Sequence, residues 1–320
     1  MSDHMNCSDI LLVGTGNMGR AHAKVLKDLG LAVYAVGRSA ASAVPFQEQL
    51  GIDVELGGID QWVEKHADHH PPVALVAVQA NLAPSVLETL LPVGFDRILV
   101  EKPCGHTKEQ AEAIANLAQA TDTDVFVAYN RRFYSSTLAA ETIIEEDGGV
   151  TGLHFEFTER NFDPVKQDLQ QWFIGNDTHV MDLAFFFAGM PRTLNAMVWN
   201  NCTVGGEKNQ AVFIGSGETE NNIPFSYRAD WFAPGRWGVE IMTRKHRLVF
   251  RPMEKLYIQK IGSFAVEEYP LDDHLDIEYK PGLFLEDRTF LDDPDNPRLL
   301  TIQQQRMHLD TYYQMLLGNC

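Results

Sequence analysis

Two short stretches of this chain hold residue types whose spacing points to chemistry. Gly14-Thr15-Gly16-Asn17-Met18-Gly19 directly follows the apolar run Ile10-Leu11-Leu12-Val13. A G-x-G-x-x-G run after a strand and before a helix builds a cradle for a dinucleotide pyrophosphate. Gly14 permits the tight turn, Gly16 lets the backbone approach the phosphates, and Gly19 lets the helix pack on the sheet. The helix start adds free amides and a partial positive charge. The second stretch, Glu101-Lys102-Pro103, follows a later apolar run. It sets a lysine at a strand end, where the nicotinamide of such a cofactor would lie. Together the two stretches imply NAD(P)-dependent oxidoreductase chemistry. Gly37-Arg38-Ser39 at the end of the second strand bears on which cofactor. NAD enzymes usually place Asp or Glu there for the ribose hydroxyls, whereas an arginine pairs with a 2′-phosphate and stacks on adenine. Ser39 adds a hydroxyl, and no carboxylate lies near in sequence. This favours NADP(H), with NAD possible; the plainer alternative leaves Arg38 as a solvated turn residue.

These residues need elements to hold them. At 320 residues the chain is long enough for about two domains. Over residues 1–129, apolar runs at 10–13, 31–36, 73–78, 97–100 and 124–129 alternate with helical patterns at 17–29, 85–91 and 108–120. That is the signature of βαβ units, an α/β Rossmann domain with a doubly wound parallel sheet. The run at 73–78 has no polar interruption, as a parallel strand buried on both faces requires. Over residues 130–320, alternating segments at 152–160, 194–200, 211–215, 225–232, 238–243, 248–252 and 255–261 predict an α+β domain with a large open, mostly antiparallel sheet. Helices are expected at 178–188 and 299–317, the latter with its start set by Pro297.

Composition removes other classes. The formal charge is −18, from 44 acidic and 26 basic residues, so neither nucleic acid nor an anionic membrane is an expected partner. An anionic ligand must then be met by locally placed cations and amides. No stretch approaches the roughly 18 apolar residues of a membrane span, and residues 1–9 are polar, without a secretory pattern. Cys7, Cys104, Cys202 and Cys320 are far apart and lack metal spacing, which fits a reduced cytoplasmic protein. His66, His69 and His70 read as a solvated turn, and Arg244 to Arg247 as a charged hairpin tip without a partner. Residues 292–297 lack the glycine and terminal glutamate of a calcium loop. No metal is expected.

Two further motifs, Tyr129-Asn130-Arg131-Arg132-Phe133 and His179-x-x-Asp182-Leu183, follow Glu101-Lys102-Pro103 in order. With these, the chain resembles the glucose–fructose oxidoreductase/inositol dehydrogenase (Gfo/Idh/MocA) family. The resemblance implies that Lys102 binds the reacting substrate oxygen and that His179 takes or gives the hydroxyl proton, work suited to an imidazole pKa of about 6.5. Asp182 would orient that imidazole or pair with the backbone. The family's fuller motif has an aspartate where this chain has Gly175; Asp177 either replaces it or N-caps the helix. Gln79 and Asn81 stand where relatives carry Thr-Pro and then a histidine, and would line the cofactor at their strand end. Asn130, Arg131 and Arg132 would meet cofactor or substrate, or form a structural pair. Trp172 and Asn176 would contribute to the substrate wall, with Trp231, Arg236 and Trp237 nearby. The substrate implied is a carbohydrate or cyclic polyol, loosely tied to surface-sugar biosynthesis, and the C-terminal sheet would pair subunits into a homodimer or homotetramer. A non-catalytic NAD(P)-binding sensor or assembly protein on the same fold is the other reading. Keeping both Lys102 and His179 favours an enzyme, and Gly175 weighs the other way.

Overall fold

The computed structural model describes residues 8–66, 68–159, 162–163, 167–199 and 211–319. Cys7, Cys202, Cys320 and the expected strand ends Arg160 and Asn200 lie outside these residues. The chain forms two compact units, Met1–Asn130 with Leu275–Met307, and Arg131–His274 with His308–Cys320.

The first unit opens with β1 (Asp9–Val13), α1 (Asn17–Asp28), β2 (Ala32–Gly37), α2 (Ala40–Leu50), β3 (Val54–Leu56) and α3 (Gly58–His66). It continues through β4 (Val73–Val76), α4 (Ala83–Leu90), β5 (Arg97–Glu101), α5 (Lys108–Thr121) and β6 (Asp124–Ala128). The strands lie parallel in the order β6-β5-β4-β1-β2-β3, so the order reverses beside β1, where ligands bind in doubly wound sheets. Every residue of β4 is buried, in keeping with its uninterrupted apolar run. The sequence pattern missed α2, β3 and α3. Pro45 sits inside α2 and disguises it, since proline normally breaks a helix interior.

The second unit holds α6 (Ser135–Glu146), β7 (Gly152–Phe157), α7 (Leu169–Trp172), a π-helical turn (Phe173–Asp177) and α8 (Thr178–Ala188). Seven strands follow: β8 (Pro191–Trp199), β9 (Val212–Thr219), β10 (Pro224–Asp230), β11 (Trp237–Met242), β12 (His246–Phe250), β13 (Tyr257–Lys260) and β14 (Glu267–Glu268). The eight-stranded sheet runs β14-β13-β12-β11-β7-β10-β9-β8 and is antiparallel except where β10 meets β7. Its core is aromatic: Phe155 is fully buried and packs against Phe157, Phe185 and Tyr227. Gly215 leaves room for the Tyr227 ring, which a Cβ would meet at 2.4 Å.

The first unit runs through Asn130 and is completed by a segment that returns from far down the chain. After α9 (His274–Glu278) come α10 (Leu283–Asp292), β15 (Leu300–Thr301) and α11 (Ile302–Leu317), and Leu275–Met307 folds with the first unit. β15 adds an antiparallel strand to β6, covering an edge that would otherwise expose unpaired backbone groups. Phe290 and Leu291 of α10 are buried. Asp287 of α10 accepts from His22 Nδ1 at 2.8 Å, while His22 Nε2 donates to Glu101 at 3.1 Å. The last helix starts at Ile302, not at Pro297. The His66–His70 stretch is not simply a solvated turn, whereas the basic run lies at the tip of the β11–β12 hairpin as expected. His66 ends α3 and bonds Glu55 at 2.9 Å, and His70 donates to Pro71 O. In the basic run, Lys245 donates to Glu146 O, and Arg247 pairs with Glu240.

Phe155→Ala is expected to cost about 3–5 kcal/mol, read from the denaturant midpoint; a loss below about 1 kcal/mol would contradict its place in the core. His22 supplies a pH test. Burial disfavours its charge, but Asp287 and Glu101 outweigh that and raise its pKa to about 10. A raised pKa stabilises the fold fully below the unfolded value of 6.5, and that contribution is lost as pH rises through about 10. Unfolding free energy should therefore decline across pH 7–10, and Asp287→Asn should flatten the decline; an unchanged profile in that variant would refute the assignment.

Candidate active site

In the first unit a cavity of about 670 Å³ opens at the strand ends, lined by Gly14, Thr15, Gly16, Asn17 and Met18. Gly14 has φ +110°, and a Cβ there would lie 2.4 Å from Ala77 O. A Cβ on Gly19 would lie 2.0 Å from Gly14 O, whereas one on Gly16 meets nothing within 4 Å. The outer glycines are thus required by the chain's own packing, and Gly16 faces open space, as backbone approach by a ligand needs. These residues fit a dinucleotide. Thr15 donates its hydroxyl to Ser42 at 2.8 Å. Arg38, Ser39 and Gln79 also line the cavity, and Asn81 is exposed outside it. Asp60, on α3, joins the lining and accepts from Thr89 at 2.9 Å. Sequence proximity could not reveal this carboxylate, because α3 brings it from beyond β3.

Glu101, expected at the cofactor, instead gives Oε1 to the buried His22. Burial alone would raise its carboxyl, but the His22 hydrogen bond and charge, with Lys280 and Lys102 further off, hold it low. Glu286 is 1 % exposed, and burial, with the charges of Glu101 and Asp287, pushes its carboxyl well above the usual range. Lys102 follows Glu101, half-buried at the end of β5. Asn130, expected at substrate, is buried and donates Nδ2 to Pro281 O at 2.9 Å, a structural tie. Cys104 is buried, which pushes its thiol up to about 12, so it is no nucleophile.

In the second unit His179 lies one residue into α8, 8 % exposed, with its ring 6.2 Å from that of Trp237. α8 starts at Thr178 as expected, but the helical stretch that leads into it runs on from further upstream. It begins at Leu169, where Asp168 caps it by accepting from Gln171 N at 2.8 Å, and passes through the π-turn. Asp177 therefore makes no side-chain cap and is fully buried at the end of that turn. Such turns recur at functional sites. Asp182, expected to orient His179, is held by Arg132 through a fork of bonds at 2.8 and 2.6 Å. Both are buried, so Arg132 is a structural partner of α8 rather than a substrate ligand.

Trp172 and Asn176 line a second cavity of about 350 Å³, with Arg131, Glu159, Arg236 and Trp237. Glu159 Oε1 accepts from Asn176 Nδ2 at 2.7 Å and from Trp237 Nε1 at 2.9 Å. The Arg131 guanidinium lies 5.0 Å from the Trp237 ring centre. Trp231 packs with Phe162, Phe173 and Phe213 in the core instead. Glu159 was missed by sequence reasoning; its only signal was an acid just past the end of an alternating strand. The cavity offers two tryptophans, a carboxylate and two guanidinium groups, a set that can grip a polyhydroxylated ring, and one of its tryptophans, Trp237, lies 6.2 Å from the His179 ring.

A family model described as an oxidoreductase family with an NAD-binding Rossmann fold matches residues 8–129. No curated protein matches the chain in sequence. Among solved structures, UDP-N-acetylglucosamine 3-dehydrogenase from Acidithiobacillus ferrooxidans is 17% identical, with 97% of this chain and 96% of that one covered and a TM-score of 0.74. Levoglucosan dehydrogenase in complex with NADH is 16% identical, with 96% and 95% covered and a TM-score of 0.74. An oxidoreductase from Agrobacterium radiobacter, in complex with NAD+, L-tartaric acid and magnesium, is 13% identical over 96% and 95% with the same score. At such identities the likeness is one of fold, covering both units.

Proposed function

We propose that the protein is an NADP(H)-preferring oxidoreductase that moves a hydride between nicotinamide and a ring carbon of a sugar, sugar derivative or cyclic polyol. The observation that carries this is the cavity beside His179, where Trp172, Trp237 and Glu159 converge. Tryptophan faces suit the C–H faces of a sugar ring, and a carboxylate accepts its hydroxyls. Names of the structural neighbours, which include a UDP-N-acetylglucosamine dehydrogenase and levoglucosan dehydrogenase, support the substrate class. The bound cofactor supplies the hydride carrier. Lys102 holds the reacting oxygen and stabilises its alkoxide character. In the oxidative direction, neutral His179 accepts the alcohol proton. Arg38 and Ser39 in the nucleotide cavity, at a strand end with no acid, support NADP(H); Asp60 is already engaged by Thr89. Self-association through the eight-stranded sheet is part of this reading, supported by exposed Met197 and Trp199 on β8.

Lys102→Met should abolish turnover and leave NADPH binding intact, and full activity in that variant would sink its role. His179→Ala should slow turnover by about 10²–10⁴ without changing cofactor affinity, measured as kcat with a sugar panel. Side-by-side titration of NADPH and NADH, read by Trp fluorescence, should show a preference for NADPH of tenfold or more, about 1.4 kcal/mol, lost in Arg38→Ala. A preference for NADH would overturn the reading of Arg38 and leave the sugar chemistry standing.

A further inference from the structure

The segment Leu275–Met307 returns to the first unit and is pinned there at several points along its first half. Lys24 Nζ donates to Glu278 O at 2.9 Å, Tyr279 donates its hydroxyl to Asp28 at 2.9 Å, and Asn130 donates to Pro281 O. The His22–Asp287 bond closes the set. Between these ties sits Lys280, whose Nζ donates to Met18 Sδ at 2.7 Å. A thioether is a weak acceptor for an ammonium. Among the described residues Lys280 has no other hydrogen-bond partner and no ion pair, whereas nearby Lys24 is paired with Glu278. Met18 stands in the first turn of α1 and lines the nucleotide cavity. Lys280 is thus an exposed, under-satisfied cation held by structure at the rim of the glycine loop.

The loop has need of such a cation. The chain carries a net charge of −18, and a pyrophosphate brings further negative charge into that field. Arg20, the basic residue nearest in sequence, is turned onto Thr15 O and Asn17 Oδ1. The positive charge of Lys280 also helps to lower the Glu101 carboxyl. We propose that Lys280, delivered by the returning segment, is the cation that meets the cofactor's pyrophosphate. A phosphate oxygen replaces the Met18 sulfur as acceptor and converts a weak bond into a charge-assisted one. The inference rests on dinucleotide binding in this cavity and adds a residue far outside the family-matched domain.

The test is direct binding by calorimetry, with NADPH, NADH, ADP-ribose and 2′-AMP as probes. ADP-ribose keeps the pyrophosphate without nicotinamide, and 2′-AMP has no pyrophosphate. Lys280→Met and Lys280→Gln should each weaken NADPH, NADH and ADP-ribose by about tenfold and leave 2′-AMP unchanged, while Lys280→Arg restores most of the loss. Raising the salt concentration should narrow the gap between wild type and Lys280→Gln. Wild-type affinity for ADP-ribose in either neutral variant would overturn the proposal, as would an equal loss for 2′-AMP. Failure of the wild-type protein to bind any of the four would instead overturn the nucleotide reading, and this inference with it.

Discussion

One buried imidazolium ties together the parts of the first unit. His22 lies in α1, the helix that begins at the glycine loop; Glu101 ends the strand that presents Lys102; Asp287 belongs to the segment that carries Lys280. The ring is fully buried and bonded at both nitrogens. Removing one partner of such a group leaves an uncompensated charge, which is far more costly than never having buried it. The cradle helix, the Lys102 strand and the returning segment are therefore held in mutual register by one group whose charge depends on all of them. Burial and the charges of Glu101 and Asp287 push the Glu286 carboxyl well above the usual range.

The second unit solves a similar problem by other means. The π-turn at Phe173–Asp177 inserts i→i+5 bonding into an otherwise continuous helix. On it and its flanks stand Trp172 and Asn176 at the cavity and His179 beside Trp237. The buried Arg132–Asp182 pair fixes α8 from its other side. Glu159 accepts from both Asn176 and Trp237 with one oxygen, so the cavity wall is tied before any ligand enters. Pre-tied walls lower the ordering cost of binding.

Net charge shapes both sites. A chain of −18 attracts no anion through its overall field, so recognition of phosphate has to be local. Arg38 lines the nucleotide cavity from the end of β2, and Lys280, from a segment far down the chain, donates to Met18 of that lining.

The sequence alone determined the parallel sheet, the glycine cradle and the strand-end position of Lys102, because each rests on local patterns: apolar runs, a fixed glycine spacing, and a residue directly after a strand. It also marked Trp172, Asn176 and His179 as neighbours, since all three lie close together in sequence. Tertiary structure decided what local patterns cannot carry. Asn130 and Arg132 read as ligands or as a structural pair, and Asp182 as the residue that orients His179 or pairs with the backbone; folding sets Asn130 on Pro281 and Arg132 on Asp182. Asp60, Glu159 and Lys280 drew no notice, because an isolated charged residue is ordinary in sequence and gains meaning only from what folding sets beside it. The same holds for the returning segment: its pairing with β6 and α1 joins residues more than a hundred positions apart, and no periodicity records a contact of that range.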